Sequence, residues 1–242
     1  MQPIACLDLT FPTPEENLAC DEALLEEGEA RGGPGVLRFW ESDRPVVVLG
    51  YANRAEEEVD LEACRAQGVP VLRRCSGGGS VLLGPGCLNY SLVLPIDTAP
   101  PLAVVSGANR FILERHRDAL VAATGLPITV EGHTDLALGG RKFSGNAQRR
   151  KRTHLLFHGG FLLDLDLRLL VALLRMPPRQ PDYRRWRAHA DFLTRIETTR
   201  DIVRAALRQA WSARAPAAAP PAHAIARLVS EKYSRADWNF RS

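Results

Sequence analysis

The chain has no CxxC pair, and none of its cysteines has a histidine neighbour at metal-ligand spacing; Cys6, Cys20, Cys64, Cys75 and Cys87 stand singly. That excludes the usual cysteine-based zinc sites, and an odd, scattered set of five implies reduced thiols. No GxxxxGK[ST] is present and no GxGxxG opens a helix after a strand, so the P-loop and dinucleotide-binding readings fall away. No stretch approaches the ~20 apolar residues of a membrane span, and the start, MQPIACLDLTFPTPEEN, has neither the basic opening nor the apolar run of a signal peptide. The expectation is a cytoplasmic protein without a membrane partner. Excess charge is lacking too: 31 basic residues against 28 acidic leave +3, too little for wholesale nucleic-acid binding.

What is present is core material. With 45% hydrophobic and 24% charged residues in 242, the composition fits one large globular domain and a small appendage. We place the main domain at residues 1–213, followed at 214–242 by a proline-alanine hinge and a helical tail packing on the same domain. Thr13, Pro14, Glu15 and Glu16 form a helix start, and the glycines at 32 and 33 end that helix. VLRFW and VVVLG read as strands, and DLEACRAQG as a short helix ended by Gly68. Strands are expected at Val69 to Arg74 and Ser80 to Leu83, and again in CLNYSLVLP. A helix from about Ser106 to Thr124 closes at Gly125. ITV, then DLALGGRKFSGNAQ as a hairpin about Gly139 and Gly140, then THLLFHGGFLL complete the strands. LRLLVALLR and RDIVRAALRQAWSA, the latter capped at Thr198-Thr199, are helical; PPRQPDYRRWRAHADF between them is irregular and basic.

Three stretches carry chemistry. RRCSGGGSV, from Arg73 to Val81, sets three glycines between strands, where bare backbone amides approach an anion and Arg73 or Arg74 with Ser76 adds donors at the rim. A tight turn or β-bulge is the structural alternative. GGRKFSGNAQ places Lys142 just after a hairpin turn, where a fixed ammonium would stabilise charge on a phosphate or carboxylate; a solvated surface lysine is the commoner case. Asp135, at the start of the same hairpin, would position an ammonium or a magnesium ion, or cap a turn. His158 lies on an apolar strand, where a satisfied core histidine is the common outcome. Arg149 to Arg152 read as a solvated loop between strands or as a surface that meets an acidic partner. RNA is disfavoured there because no aromatics interleave the charges.

These segments, RRCSGGGSV followed by LNYSLVLP, then TDLALGGRKFSGNAQ, then FHGGFLL, resemble in order and spacing the catalytic domain of the lipoate-protein ligase A family, from roughly Leu7 to Phe240. The resemblance implies an α/β (α+β) domain with a mixed, largely antiparallel sheet flanked by helices, a fold shared with biotin ligases. It implies activation of lipoate by ATP with Mg2+ to lipoyl-adenylate. The acyl group then passes to a lysine of a lipoyl-carrier protein, either a lipoyl domain of a dehydrogenase complex or an H-like protein. By the same resemblance Lys142 is catalytic. Arg74, Ser76, Gly77, Gly78, Gly79, Asp135, Ser144, Gly145, Ala147, Trp40 and Val81 hold the adenylate and acyl chain, with Leu82 beside Val81 and a magnesium ion near Asp135. Ordinary core packing would account for Trp40, Val81 and Leu82 equally.

The sequence departs from that family at named places. Leu83 and Gly84 stand where a histidine and an acidic residue usually follow the glycines, and His158 precedes Gly159 where two histidines are usual. The usual C-terminal domain does not follow, which makes a separate small accessory subunit an expected partner. An octanoyltransferase of the same fold is the nearest alternative, drawing on acyl carrier protein or on preformed lipoyl-adenylate. Its nucleophilic cysteine would fall in GLPITVEGHTDL, which has none. A non-catalytic lipoyl-domain-binding subunit is a third reading, opposed by the intact glycines and Lys142.

Overall fold

Thr13 turns the extended N-terminal segment into a helix through a reciprocal pair of bonds: its hydroxyl accepts from the Glu16 amide at 3.2 Å, and the Glu16 carboxylate accepts from the Thr13 amide at 3.0 Å. Pro14 opens this helix, α1 (Pro14–Arg31). A computed structural model describes residues 4–241. Its strands are β1 (Ala5–Asp8), β2 (Val36–Trp40), β3 (Val46–Leu49), β4 (Val71–Arg73), β5 (Val81–Leu83), β6 (Cys87–Pro95), β7 (Ile128–Glu131), β8 (Asp135–Leu138), β9 (Arg141–Arg150), β10 (His154–Leu162) and β11 (Ala215–Pro216). After α1 come α2 (Ala55–Glu58), α3 (Leu61–Ala66), α4 (Val105–Thr124), α5 (Leu167–Leu173), α6 (His189–Phe192), α7 (Arg200–Ala210), α8 (Ala222–Leu228) and α9 (Ala236–Asn239).

Eight strands form one sheet in the order β11-β1-β2-β6-β10-β9-β8-β7. β1 pairs in parallel with both its neighbours, and the other pairings are antiparallel. One face carries Ile112, Leu113 and Leu120 of α4 with Val203 and Leu207 of α7, packed on Leu37, Phe39, Leu92 and Phe157. The other carries Leu18, Ala19 and Leu25 of α1, the apolar run Val46 to Leu49, and Ile225 and Leu228 of the C-terminal helix α8. Gly139 and Gly140, at φ 57° and 72°, make the turn of the β8–β9 hairpin. The expected α/β class with a mixed, mostly antiparallel sheet is therefore present.

The glycine run is a loop between strands, as expected; β4 runs parallel and β5 antiparallel to the fully buried β3, forming a separate three-stranded sheet. Residues 74–80 must cross over β3, which is why this stretch is a long open loop and no tight turn. The basic run is not a loop throughout: β9 stays paired with β10 as far as Arg150 opposite Leu155, so Arg149 and Arg150 are strand residues. In the proline-alanine segment Ala215 and Pro216 pair with Ala5 and Cys6 at the edge of the large sheet, a position that tolerates proline.

Candidate active site

A cavity of about 1200 Å³ opens between the glycine loop and the β8, β9 and β10 strands. Trp40, Arg74, Gly77, Gly78, Gly79, Val81, Leu82, Asp135, Lys142, Ser144, Gly145 and Ala147 all line it; Ser76 lies just behind the wall, 1% exposed.

Lys142 reaches the cavity through a break in strand alternation. The β8–β9 register shifts between Leu136 and Ala137, pairing Asp135 with Gly145 but Ala137 with Lys142. Lys142 and Gly145 then share a face, and the ammonium passes so close to residue 145 that a Cβ there would lie 2.6 Å from Nζ. A side chain at that position would displace the end of Lys142. Nζ of Lys142 lies 2.8 Å from Oδ1 of Asp135, while Tyr183 donates its hydroxyl to Oδ2 at 2.7 Å. Burial, then the charge of Asp135, push the Tyr183 phenol well above its usual range, so it stays protonated and donating.

The glycine loop is held from behind by Arg74. Its guanidinium donates to the carbonyls of Gly77 (2.5 Å), Gly79 (2.9 Å) and Val48 (3.3 Å) and to the Ser76 hydroxyl (3.1 Å). Burial lowers its pKa to about 10, which leaves it charged at neutral pH. At the loop's end the Glu58 carboxylate accepts from the Ser80 amide (2.9 Å) and hydroxyl (2.7 Å). With those carbonyls drawn onto Arg74, the amides of Gly77, Gly78 and Gly79 have no protein acceptor among the described residues. Three unspent donors beside a buried cation make a seat for an anion.

Ser76 also faces His158 Nε2 at 2.5 Å; His158 Nδ1 lies 3.2 Å from Asp21, and Asp21 pairs with Arg38 at 2.6 Å. Burial opposes ionisation of Asp21, yet the Arg38 guanidinium and the His158 bond hold its carboxyl below the usual range. This buried chain ties the loop to α1 and β2. Sequence reading did not find Asp21, Arg38, Glu58 or Tyr183, which come from distant segments with no motif of their own. Glu58 supplies an acidic group to the glycine loop on the side where Leu83 and Gly84 offer none.

No protein metal cage stands here. Among the described residues no three His, Cys, Asp or Glu side chains cluster, and both oxygens of Asp135 are engaged. Of the thiols, Cys87 lines the cavity but is buried and pushed up to about 12; burial likewise raises Cys20 and Cys75 to about 12, and Cys64 less.

This combination of fold, glycine loop and lysine hairpin belongs to the lipoyl protein ligase A/B catalytic domain family, whose model matches residues 13–210; the chain is a member of that family. Among its relatives is lipoate-protein ligase A subunit 1 of Thermoplasma acidophilum, 31% identical over 239 residues, covering 92% of this chain and 90% of that one. The octanoyltransferase LipM of Moorella thermoacetica is 35% identical over 193 residues, covering 71% of this chain and 69% of the relative. Among solved structures, the bipartite lipoate protein ligase of T. acidophilum, described with its E2 lipoyl domain, superposes with a TM-score of 0.84 at 26% identity, covering 99% and 97% of the two chains. A lipoate-protein ligase A bound with ATP gives 0.79 at 27% identity, with 99% of each chain covered. No helix among the described residues is long and apolar enough to cross a membrane.

Proposed function

We propose that this protein joins a lipoate-type carboxylic acid to AMP at the expense of ATP and transfers the acyl group to a lysine of a carrier protein. The carboxylate oxygen attacks the α-phosphorus and pyrophosphate leaves. Negative charge then gathers on the non-bridging oxygens, where the Lys142 ammonium and the free amides of Gly77 to Gly79 stand ready without reorganisation. In the second step the carrier's amine attacks the acyl carbon, AMP leaves, and the same ammonium stabilises the departing phosphate. Trp40, Val81 and Leu82 line the apolar part of the cavity and shield the water-sensitive anhydride.

One observation carries the choice of adenylate over thioester. A transferase working through an acyl-cysteine needs an activated thiol, and the cavity's Cys87 is a buried neutral one. The ATP-bound and lipoic-acid-bound relatives of the same fold support this reading. Octanoyl transfer is the second reading, favoured by the likeness to LipM enzymes. The T. acidophilum relative, named as a subunit, supports a separate accessory partner, and the lipoyl domain described with its structure supports the carrier.

The basic run differs along its length. Arg150 donates to the carbonyls of Leu102 and Ala103, while Lys151 and Arg152 are exposed, with Glu26 and Glu29 at 3.8 and 4.0 Å. Arg149 is exposed and packs over Tyr51. The deciding experiment weighs an apo-carrier by mass spectrometry after incubation with lipoate and ATP-magnesium, or with octanoyl-acyl carrier protein. Modification by the first donor is expected; modification by the thioester alone would replace this reading with the second.

A further inference from the structure

Arg73, the first arginine of the glycine motif, does not line the cavity. It is 1% exposed, and every hydrogen bond of its side chain goes to a main-chain carbonyl. Nη1 donates to Gly50 (2.9 Å), Tyr51 (3.1 Å) and Asn53 (2.6 Å). Nη2 donates to Asn239 (3.1 Å) and Arg241 (3.0 Å), and Nε to Trp238 (3.1 Å) and Asn239 (3.3 Å). Its backbone is gripped as well: its amide donates to Asn239 Oδ1 at 2.9 Å, and its carbonyl accepts from the Trp238 indole at 2.9 Å. The C-terminal segment and residues 50–53 thus meet on one buried cation.

Residues 50–53 are also the support of the glycine loop. The Tyr51 amide donates to the Ser76 carbonyl at 2.8 Å, and a Cβ on Gly50 would lie 1.9 Å from the Gly78 carbonyl, so the two backbones touch. Arg241 closes the assembly from outside, its guanidinium 3.8 Å from the Tyr51 ring centre and 4.2 Å from that of Trp238.

We propose that Trp238, Asn239 and Arg241 form a positioning element of the active site: they fix Arg73, Arg73 fixes residues 50–53, and these hold Gly78 where its amide serves the ligand. The catalytic consequence rests on the acyl-adenylate reading; the mechanical one does not. The test compares Trp238→Ala and Arg73→Lys with Phe240→Ala, whose side chain is exposed in the same tail. Hydrogen exchange of the full chain at the Tyr51 and Ser80 amides, which are bonded to the Ser76 carbonyl and the Glu58 carboxylate, is read beside KM, kcat and Tm. Trp238→Ala and Arg73→Lys are expected to speed exchange at these two amides by about tenfold or more. They should raise KM for the carboxylic acid by about tenfold with a smaller change in kcat. Phe240→Ala should alter neither. Unchanged exchange at Tyr51 and Ser80 in both test variants would overturn the proposal, as would an equal effect from Phe240→Ala. A wild type inactive with every donor would count against the adenylate reading instead, since exchange still decides the role of the tail.

Discussion

The two walls of the cavity are built by opposite means. On one side Lys142 stands on a ten-residue strand paired with β10 as far as Ser144 and with β8 at Lys142 itself, and a single bulge aims the charge. On the other, residues 74–80 have no ladder, and their shape is imposed by side chains: Arg74 on the carbonyls, Glu58 on Ser80, His158 on Ser76. A strand delivers one side chain accurately. A loop is needed to deliver backbone amides, because a ladder would consume them, and buried charges must then supply the rigidity that the ladder would have given.

This contrast can be broken from either wall. Lys142→Ala removes the charge without touching the loop and leaves Asp135 its Tyr183 bond, so we expect a loss of about 10²–10³-fold in kcat for both half-reactions, measured in single turnover, with a smaller stability loss than Asp21→Asn. Asp21→Asn attacks the buried supports. Leaving Arg38 without its carboxylate should cost about 3–5 kcal/mol in urea unfolding, with activity lost only as stability is lost. Equal stability loss in both variants would erase the distinction between the walls.

A smaller effect separates both walls from the sheet's opposite face. His116 is buried there, accepts from the Trp211 indole at 2.8 Å, and is lowered to about 3 by burial and then by Arg115. Above pH 6.5 both folded and unfolded chains hold it neutral; from there towards pH 3 only the unfolded chain takes the proton. Stability should therefore fall with acidification by up to about 1.4 kcal/mol per pH unit, and His116→Gln should flatten that slope in denaturation curves. The smallest effect concerns the cavity's surroundings. Arg149→Glu should slow carrier modification several-fold at low salt and less at high salt, as expected of an exposed charge that meets an acidic partner.

The contrast also explains what could be read in advance. Lys142 and the triple glycine were legible because strand and loop chemistry are local: a turn of two glycines, a lysine, a bare run. The Thr13 cap and the Gly125 helix end were legible for the same reason. The supports were not. Asp21 looks like any polar residue of α1, and only folding brings it to His158, 137 positions away. Tyr183 sits in an irregular segment with no period to place it. Arg73 and Arg74 are adjacent in the chain, yet one serves the tail and the other the loop; their separation follows from β4 ending between them.

The account stands or falls on an anhydride held between the ammonium and the amides. Native mass spectrometry with preformed lipoyl-adenylate measures this directly, comparing the intact protein with Lys142→Ala. We predict a non-covalent adduct carrying AMP on the wild type and a strong loss of it in the variant. An adenylate bound equally well by both proteins, or an acyl mass left on Cys87 with AMP released, would contradict it.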